Sequence, residues 1–159
     1  MGHKIYVATS WRNQYQPGLV ERLRSWGHDV YDFRNPKLGK TGFEWAEIDP
    51  DWREWSTYQY RDALRHPIAQ DGYDLDFAAL DRCDVVVLLL PSGASAHTEA
   101  AWHRGRGGTV IVYSPEPCQP ELMYKLFNTI AADESELRSF LLNPLPVLKH
   151  LSLARRNDA

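Results

Sequence analysis

Apolar positions along this chain switch repeatedly between two spacings, and each switch marks a change from strand to helix. From Lys4 to Thr9, Ile5 and Val7 alternate with other residues, as in a strand. From Tyr15 to Trp26, Leu19, Val20, Leu23 and Trp26 recur at helical spacing before Gly27, a residue suited to ending a helix. His28 to Phe33 reads as a second strand. Ser56, followed by Gln59, fits a capping box and opens a short helix that Pro67 is expected to interrupt, and a further helix is predicted over about Asp74 to Arg82. Val85 to Leu90 is an unbroken apolar run with no polar alternation, the pattern of a central strand covered on both faces. Thr98 to Arg106 reads as a helix ending near Gly107, Thr109 to Tyr113 as another buried strand, Pro120 to Phe127 as helical and Thr129 to Ala132 as a short strand. Asp133, with Glu136 three residues on, caps a last helix to about Leu142.

Strand and helix therefore alternate five times along the chain. Right-handed crossovers between such elements make an α/β fold, a doubly wound five-stranded parallel sheet of flavodoxin-like order, the expected architecture. With 159 residues the chain has room for one such domain. The reading places it at residues 1–143, with a Trp-rich insertion at about 34–55 and a C-terminal tail at 144–159 that is expected to be mobile or to swap onto a partner.

Composition narrows the function. Apolar residues make up 43 % and charged residues 25 % of the chain, a globular balance. A net charge of -3 with scattered Lys and Arg disfavours nucleic acid as a partner. No segment approaches the roughly 20 apolar residues of a membrane span, and no apolar leader precedes the first strand, so a cytoplasmic location with no membrane partner is expected. Cys83 and Cys118 show neither a disulfide framework nor zinc-ligand spacing, and the reading calls for no metal and no cofactor. Rossmann and Walker A patterns are absent.

In a doubly wound sheet, ligands sit beyond the carboxyl ends of the strands where the strand order reverses. That singles out two loops. The first, Thr9 to Asn13, carries Ser10, Trp11 and Arg12. The second, Pro91 to Glu99, carries Ser92, Gly93, Ser95 and His97 ahead of a helix whose free N–H groups favour a polar or anionic ligand. Glu99 is placed in the first turn of that helix at the mouth of the central strand. A carboxylate there can do chemistry or can merely satisfy the helix N-terminus, and the pattern alone leaves both open.

Three segments resemble the nucleoside 2-deoxyribosyltransferase-like family, which includes the 2'-deoxynucleoside 5'-phosphate N-hydrolases. Ile5-Tyr6-Val7-Ala8-Thr9-Ser10-Trp11-Arg12, with Leu19 to Leu23 after it, looks like the family's opening, and Tyr6 falls on its tyrosine. Asp76 to Val87 is similar to its helix-to-strand segment, with Asp76 on the active-site aspartate. Glu99, followed by Ala100 and Ala101, matches its catalytic glutamate. The resemblance implies cleavage of the N-glycosidic bond of a nucleoside or nucleoside 5'-monophosphate through a glycosyl-Glu99 intermediate, with Asp76 serving the leaving base and Tyr6 orienting Glu99. It further implies a homodimer or higher homo-oligomer with shared sites. Arg12 stands where the phosphate hydrolases place an arginine, and Ser92 offers a hydroxyl beside it.

The chain departs from the family pattern around the glutamate. His97 and Thr98 precede Glu99, Ala101 replaces a glycine, and the interval from Ser92 is one residue longer than in the phosphate hydrolases. No second loop aspartate is present, and His97 is a candidate for that role or else a polar capping residue. Trp45, Trp52 and Trp55 in the insertion suit either stacking on a nucleobase or packing in a satellite cluster or interface. Two other functions fit the same residues: an NAD-cleaving glycohydrolase like the TIR group, and a nucleotide-binding sensor without turnover.

Overall fold

The computed structural model describes residues 2–143; the tail at 144–159 lies outside them. Five strands, β1 (Lys4–Ala8), β2 (Asp29–Tyr31), β3 (Val85–Leu89), β4 (Thr109–Tyr113) and β5 (Thr129–Ala131), form one parallel sheet in the order β2-β1-β3-β4-β5. This is the expected flavodoxin-like order. All five residues of β3 are buried, as the unbroken apolar run requires. The helices are α1 (Gln16–Ser25), α2 (Thr57–Ala63), α3 (Pro67–Arg82), α4 (Ala94–Gly105) and α5 (Glu134–Leu142).

Strand alternation divides the core into two layers. Ile5, Val7, Val87 and Leu89 point to one face, where Leu19 and Leu23 of α1 and Leu137 and Leu141 of α5 cover them. Tyr6, Ala8, Val86 and Leu88 point to the other and meet Ala79 and Leu80 of α3 and Ala96 and Ala100 of α4. Alanines in the contacting rows let α3 and α4 lie close to the sheet. Polar residues flanking those rows, Asp76 and Glu99, are thereby drawn to the edge of the core. Gly27 and Gly107, with φ of 89° and 92°, take the left-handed conformation after α1 and α4.

Several boundaries differ from the sequence reading. Pro67 does not interrupt a helix. It occupies the first turn of α3, where its missing N–H costs nothing, and the His66 ring accepts the N–H of Ile68 at 3.2 Å as a cap. α3 is thus one helix of 16 residues that runs through Asp74. α4 begins at Ala94 rather than Thr98, with Gly93 as its cap and no side-chain capping bond. Glu99 consequently stands in the second turn, not the first. Pro120 to Phe127 contains only a 3-10 segment, Leu122–Leu126.

The insertion folds as loops around two single 3-10 turns, Trp45–Glu47 and Trp52–Glu54. Phe43 lies against α3 at Gly72, where an added Cβ would come within 2.6 Å of the Phe43 Cβ. Trp45 meets Phe43, Trp55 and Tyr60 edge-on at centroid distances of 4.8, 5.7 and 5.8 Å, and the Trp55 indole donates to Asp49 at 2.6 Å. These aromatics form a satellite cluster.

Candidate active site

The topological switch lies between β1 and β3, because the chain leaves β1 for β2 on one side and returns to β3 on the other. Loops after both strands meet there. The buried Asn13 amide joins them, donating to the Thr9 hydroxyl at 3.0 Å and to the Pro91 carbonyl at 3.0 Å, while the Thr9 hydroxyl donates to the Leu89 carbonyl at 2.8 Å. Arg34, just after β2, fastens the first loop further: its guanidinium donates to the carbonyls of Trp11 at 2.7 Å and Asn13 at 2.8 Å. Neither Asn13 nor Arg34 was singled out by the sequence. Nothing local distinguishes a loop-tying amide or guanidinium from a surface one.

On the α3–α4 side of the switch two tyrosines face two carboxyls. Tyr6 and Tyr31 are register partners on β1 and β2, and their rings stack with centroids 5.4 Å apart. The Tyr6 hydroxyl donates to Glu99 Oε1 at 3.1 Å, and the Tyr31 hydroxyl donates to Asp76 Oδ1 at 2.8 Å. Each helix thus presents one carboxyl, and each is held by a phenol from the sheet beneath. The structure brings Tyr6, Asp76 and Glu99 together, as the sequence reading expected, and adds Tyr31. A tyrosine at an edge-strand position reads simply as a strand former, so only the β1–β2 register reveals it.

The electrostatics follow from burial. Desolvation, reinforced by the charge of Asp76 and opposed by the Tyr6 hydrogen bond, pushes the Glu99 carboxyl up to about 8. Burial also raises Asp76, against the Tyr31 hydrogen bond. Both phenols are displaced upward, chiefly by burial and then by the neighbouring carboxylates, which fixes them as donors. The charge of Asp76 is among the causes that raise Glu99, so the two carboxyls oppose each other's ionisation.

The remaining predicted residues ring this centre. Ser10 is half-buried, and its hydroxyl accepts the Arg12 N–H at 3.2 Å. Trp11 packs edge-on against Phe33 at 5.2 Å and remains 40 % exposed. The Arg12 side chain is exposed, as is Ser95 in the first turn of α4. Gly93 caps α4 and accepts from the His97 ring Nδ1 at 2.8 Å; His97 Nε2 then accepts from the Tyr124 hydroxyl at 2.9 Å. The Ser92 hydroxyl lies 3.5 Å from His97 Nδ1. His97 is therefore tied to the loop and to Tyr124, not to either carboxyl. Among the described residues no group of three or more His, Cys, Asp or Glu is placed to hold a metal ion. No helix among them is long and apolar enough to cross a membrane.

A cleft of about 260 Å³ opens beside Asp76, between the insertion and the first turns of α3. Phe43, Ile68 and Leu75 give it apolar surface, and none of Trp45, Trp52 and Trp55 lines it.

No family model matches the chain, and no curated protein matches it in sequence. Among solved structures, a 2-deoxyribosyltransferase from the psychrotolerant bacterium Bacillus psychrosaccharolyticus aligns with a TM-score of 0.57 at 19 % identity, over 90 % of this chain and 96 % of that one. The chain has the fold of that transferase. A CMP N-glycosidase of Clostridium botulinum, BcmB, aligns over 87 % of this chain and 98 % of its own at 17 % identity, with a TM-score of 0.47, too low to establish a common fold.

Proposed function

We propose that the protein is an enzyme that cleaves the N-glycosidic bond of a nucleoside or nucleoside 5'-monophosphate, with Glu99 as the nucleophile. The observation that carries this reading is the paired arrangement of Tyr6 on Glu99 and Tyr31 on Asp76 at the switch point of the sheet. Its occurrence on the fold of a 2-deoxyribosyltransferase supports the reading.

The chemistry needs two carboxyls in opposite states, one ionised beneath the anomeric carbon and one able to give a proton to the departing base. Glu99 and Asp76 share one half-enclosed environment, so ionising one favours a proton on the other. A bound nucleoside sets the two states: positive charge growing at C1' stabilises ionised Glu99, while an acceptor nitrogen of the base stabilises protonated Asp76. A Glu99 oxygen attacks C1', the C1'–N bond breaks with its electron pair on the base, and the Asp76 proton follows to that base. Water then attacks C1', the bond to Glu99 breaks, and Asp76 takes the proton of the water; a second base in place of water gives transfer. Tyr6 holds one oxygen of Glu99 throughout and leaves the other for attack.

The loops account for the rest of the ligand. The first N–H groups of α4 have no side-chain cap, and Ser92 and Ser95 stand beside them, a polar seat for the sugar or its 5'-phosphate. Arg12 is exposed at the adjoining loop and is assigned to that phosphate. His97, held by Gly93 and Tyr124, shapes the loop. The site requires no cofactor. A homodimer that encloses the open site, and a cytoplasmic setting, belong to the same proposal.

The test is a chromatographic screen for free base after incubation with pooled nucleosides, deoxynucleosides, their 5'-monophosphates and NAD. Base released by the native protein and lost in Glu99→Ala supports the proposal. No release from any pool, even with an acceptor base added, overturns it in favour of a sensor, and release of nicotinamide alone overturns it in favour of NAD cleavage.

A further inference from the structure

We infer that the cleft beside Asp76 selects nucleobases that carry an exocyclic amino group, with Glu47 and Asp71 as the selecting residues. The inference rests on the proposed glycosidic function and concerns its substrate class. The cleft has the ingredients of a base site. Phe43 offers an aromatic face and Ile68 and Leu75 apolar walls, while the polar groups stand around them. Asp76 closes it at the catalytic end. Tyr31 donates to Asp76 Oδ1 and no hydrogen bond to Oδ2 is made among the described residues, which leaves that oxygen available to a ligand.

The insertion that forms the outer wall is fixed in place. Phe43 fits against the bare α-carbon of Gly72, and Gly42 is packed so closely that an added Cβ would lie 2.0 Å from the Phe33 carbonyl oxygen. The Glu47 carboxylate accepts the Glu44 N–H through Oε1 at 2.8 Å, which holds its side chain, and Glu47 lines the cleft. Asp71, one residue before Gly72 on α3, lines the cleft as well.

Three carboxyls thus meet one cation, Lys40, in the lining. Carboxylate oxygens accept and do not donate, so the edge that complements them is rich in N–H. Adenine, cytosine and guanine each bring an amino group to such a rim. Uracil, thymine and hypoxanthine present carbonyl oxygens in its place, which meet Glu47 and Asp71 acceptor to acceptor. Glu47 and Asp71 are exposed, so water satisfies them when no amino group is bound, and the preference comes from the charge-assisted bonds that an amino edge makes and a carbonyl edge cannot.

The test measures binding and turnover in parallel. Quenching of tryptophan fluorescence by free adenine, hypoxanthine, cytosine and uracil gives the affinities of the full-length native protein, of Glu47→Gln and Asp71→Asn, and of the double variant. Base release from the matching nucleosides gives kcat/KM ratios. The expected result is at least about tenfold preference for the amino-bearing member of each pair in the native protein, falling to about threefold or less in the double variant. Gln at 47 can still accept the Glu44 N–H, and Gly72→Ala, which displaces Phe43, is expected to weaken all four bases together. Equal binding within each pair, or a preference that survives in the double variant, overturns the selection. Turnover without preference would sink this inference alone; preference in binding without turnover would sink the glycosidic function while upholding the cleft as a base-reading site.

Discussion

Tyr6 is the residue on which the proposed catalytic geometry turns, since it is fully buried in the sheet yet spends its hydroxyl on a carboxyl at the edge of the core. Tyr6→Phe removes a hydrogen bond that lowers the Glu99 pKa, so the variant's Glu99 titrates above the native value of about 8. Turnover is expected to fall about 10- to 100-fold, the scale of one hydrogen bond to a charged group, with the pH profile displaced upward. Little change in either would assign Tyr6 to packing alone. Glu99 also marks the stability. Its carboxyl ionises near 4.5 when exposed and near 8 in the folded protein, so between these pH values the folded state binds more protons and stability falls as pH rises. Glu99→Gln removes that slope. Thermal melts should show the variant at least about 1 kcal/mol more stable than native at pH 9, roughly 2–4 °C in Tm, and no such advantage below pH 4.5. Parallel melting curves across that range would contradict the assigned burial of the charge. At this scale the loop after the central strand drew attention to Glu99, the family resemblance pointed to Asp76 and Tyr6, and the structure places the three at one edge of the core. Tyr31, Asn13 and Arg34 act through contacts between distant segments, which no local pattern encodes.

Among the elements, α3 shows how one residue carries two meanings. Pro67 reads as a helix breaker until a cap precedes it; with His66 in that role it becomes the start. Gly72 in the same helix weakens the periodic pattern, yet the structure uses its missing side chain to seat Phe43 of the insertion. Gly72→Ala should therefore shift the insertion and impair substrate binding, while costing only about 1–3 kcal/mol of global stability. A KM increase with a melting midpoint lowered by only about 2–10 °C is the expected signature; a collapse of the midpoint well beyond that would make the insertion part of the core. α4 shows the converse. Its start at Ala94 lacks any capping signature, so the sequence reading delayed the helix to Thr98 and misplaced Glu99 by a turn. The central strands β3 and β4 were read closely because burial on both faces leaves an apolar run that survives any error in their ends.

For the molecule as a whole, fold and site are parts of one arrangement. The parallel sheet forces its loops to the carboxyl edge, and the order reversal opens the crevice that the two helices line with carboxyls. The central strand carries both layers of the core, so Leu88→Ala is expected to cost about 2–5 kcal/mol and to weaken the whole domain in a single cooperative transition. Urea unfolding followed at the tryptophans of the insertion and by backbone signal should give coincident curves; separate transitions would divide the insertion from the sheet. This architecture was legible because alternating strands and helices admit few topologies.

The most direct test of the glycosyl-Glu99 intermediate is mass spectrometry of protein quenched during turnover on whichever nucleoside releases base. The expected result is one added glycosyl unit on the peptide that contains Glu99, absent from Glu99→Gln, together with a loss of turnover of about 10³-fold or more in that variant. An unmodified Glu99 in the native protein quenched during turnover, with Glu99→Gln turning over at the native rate, would contradict it.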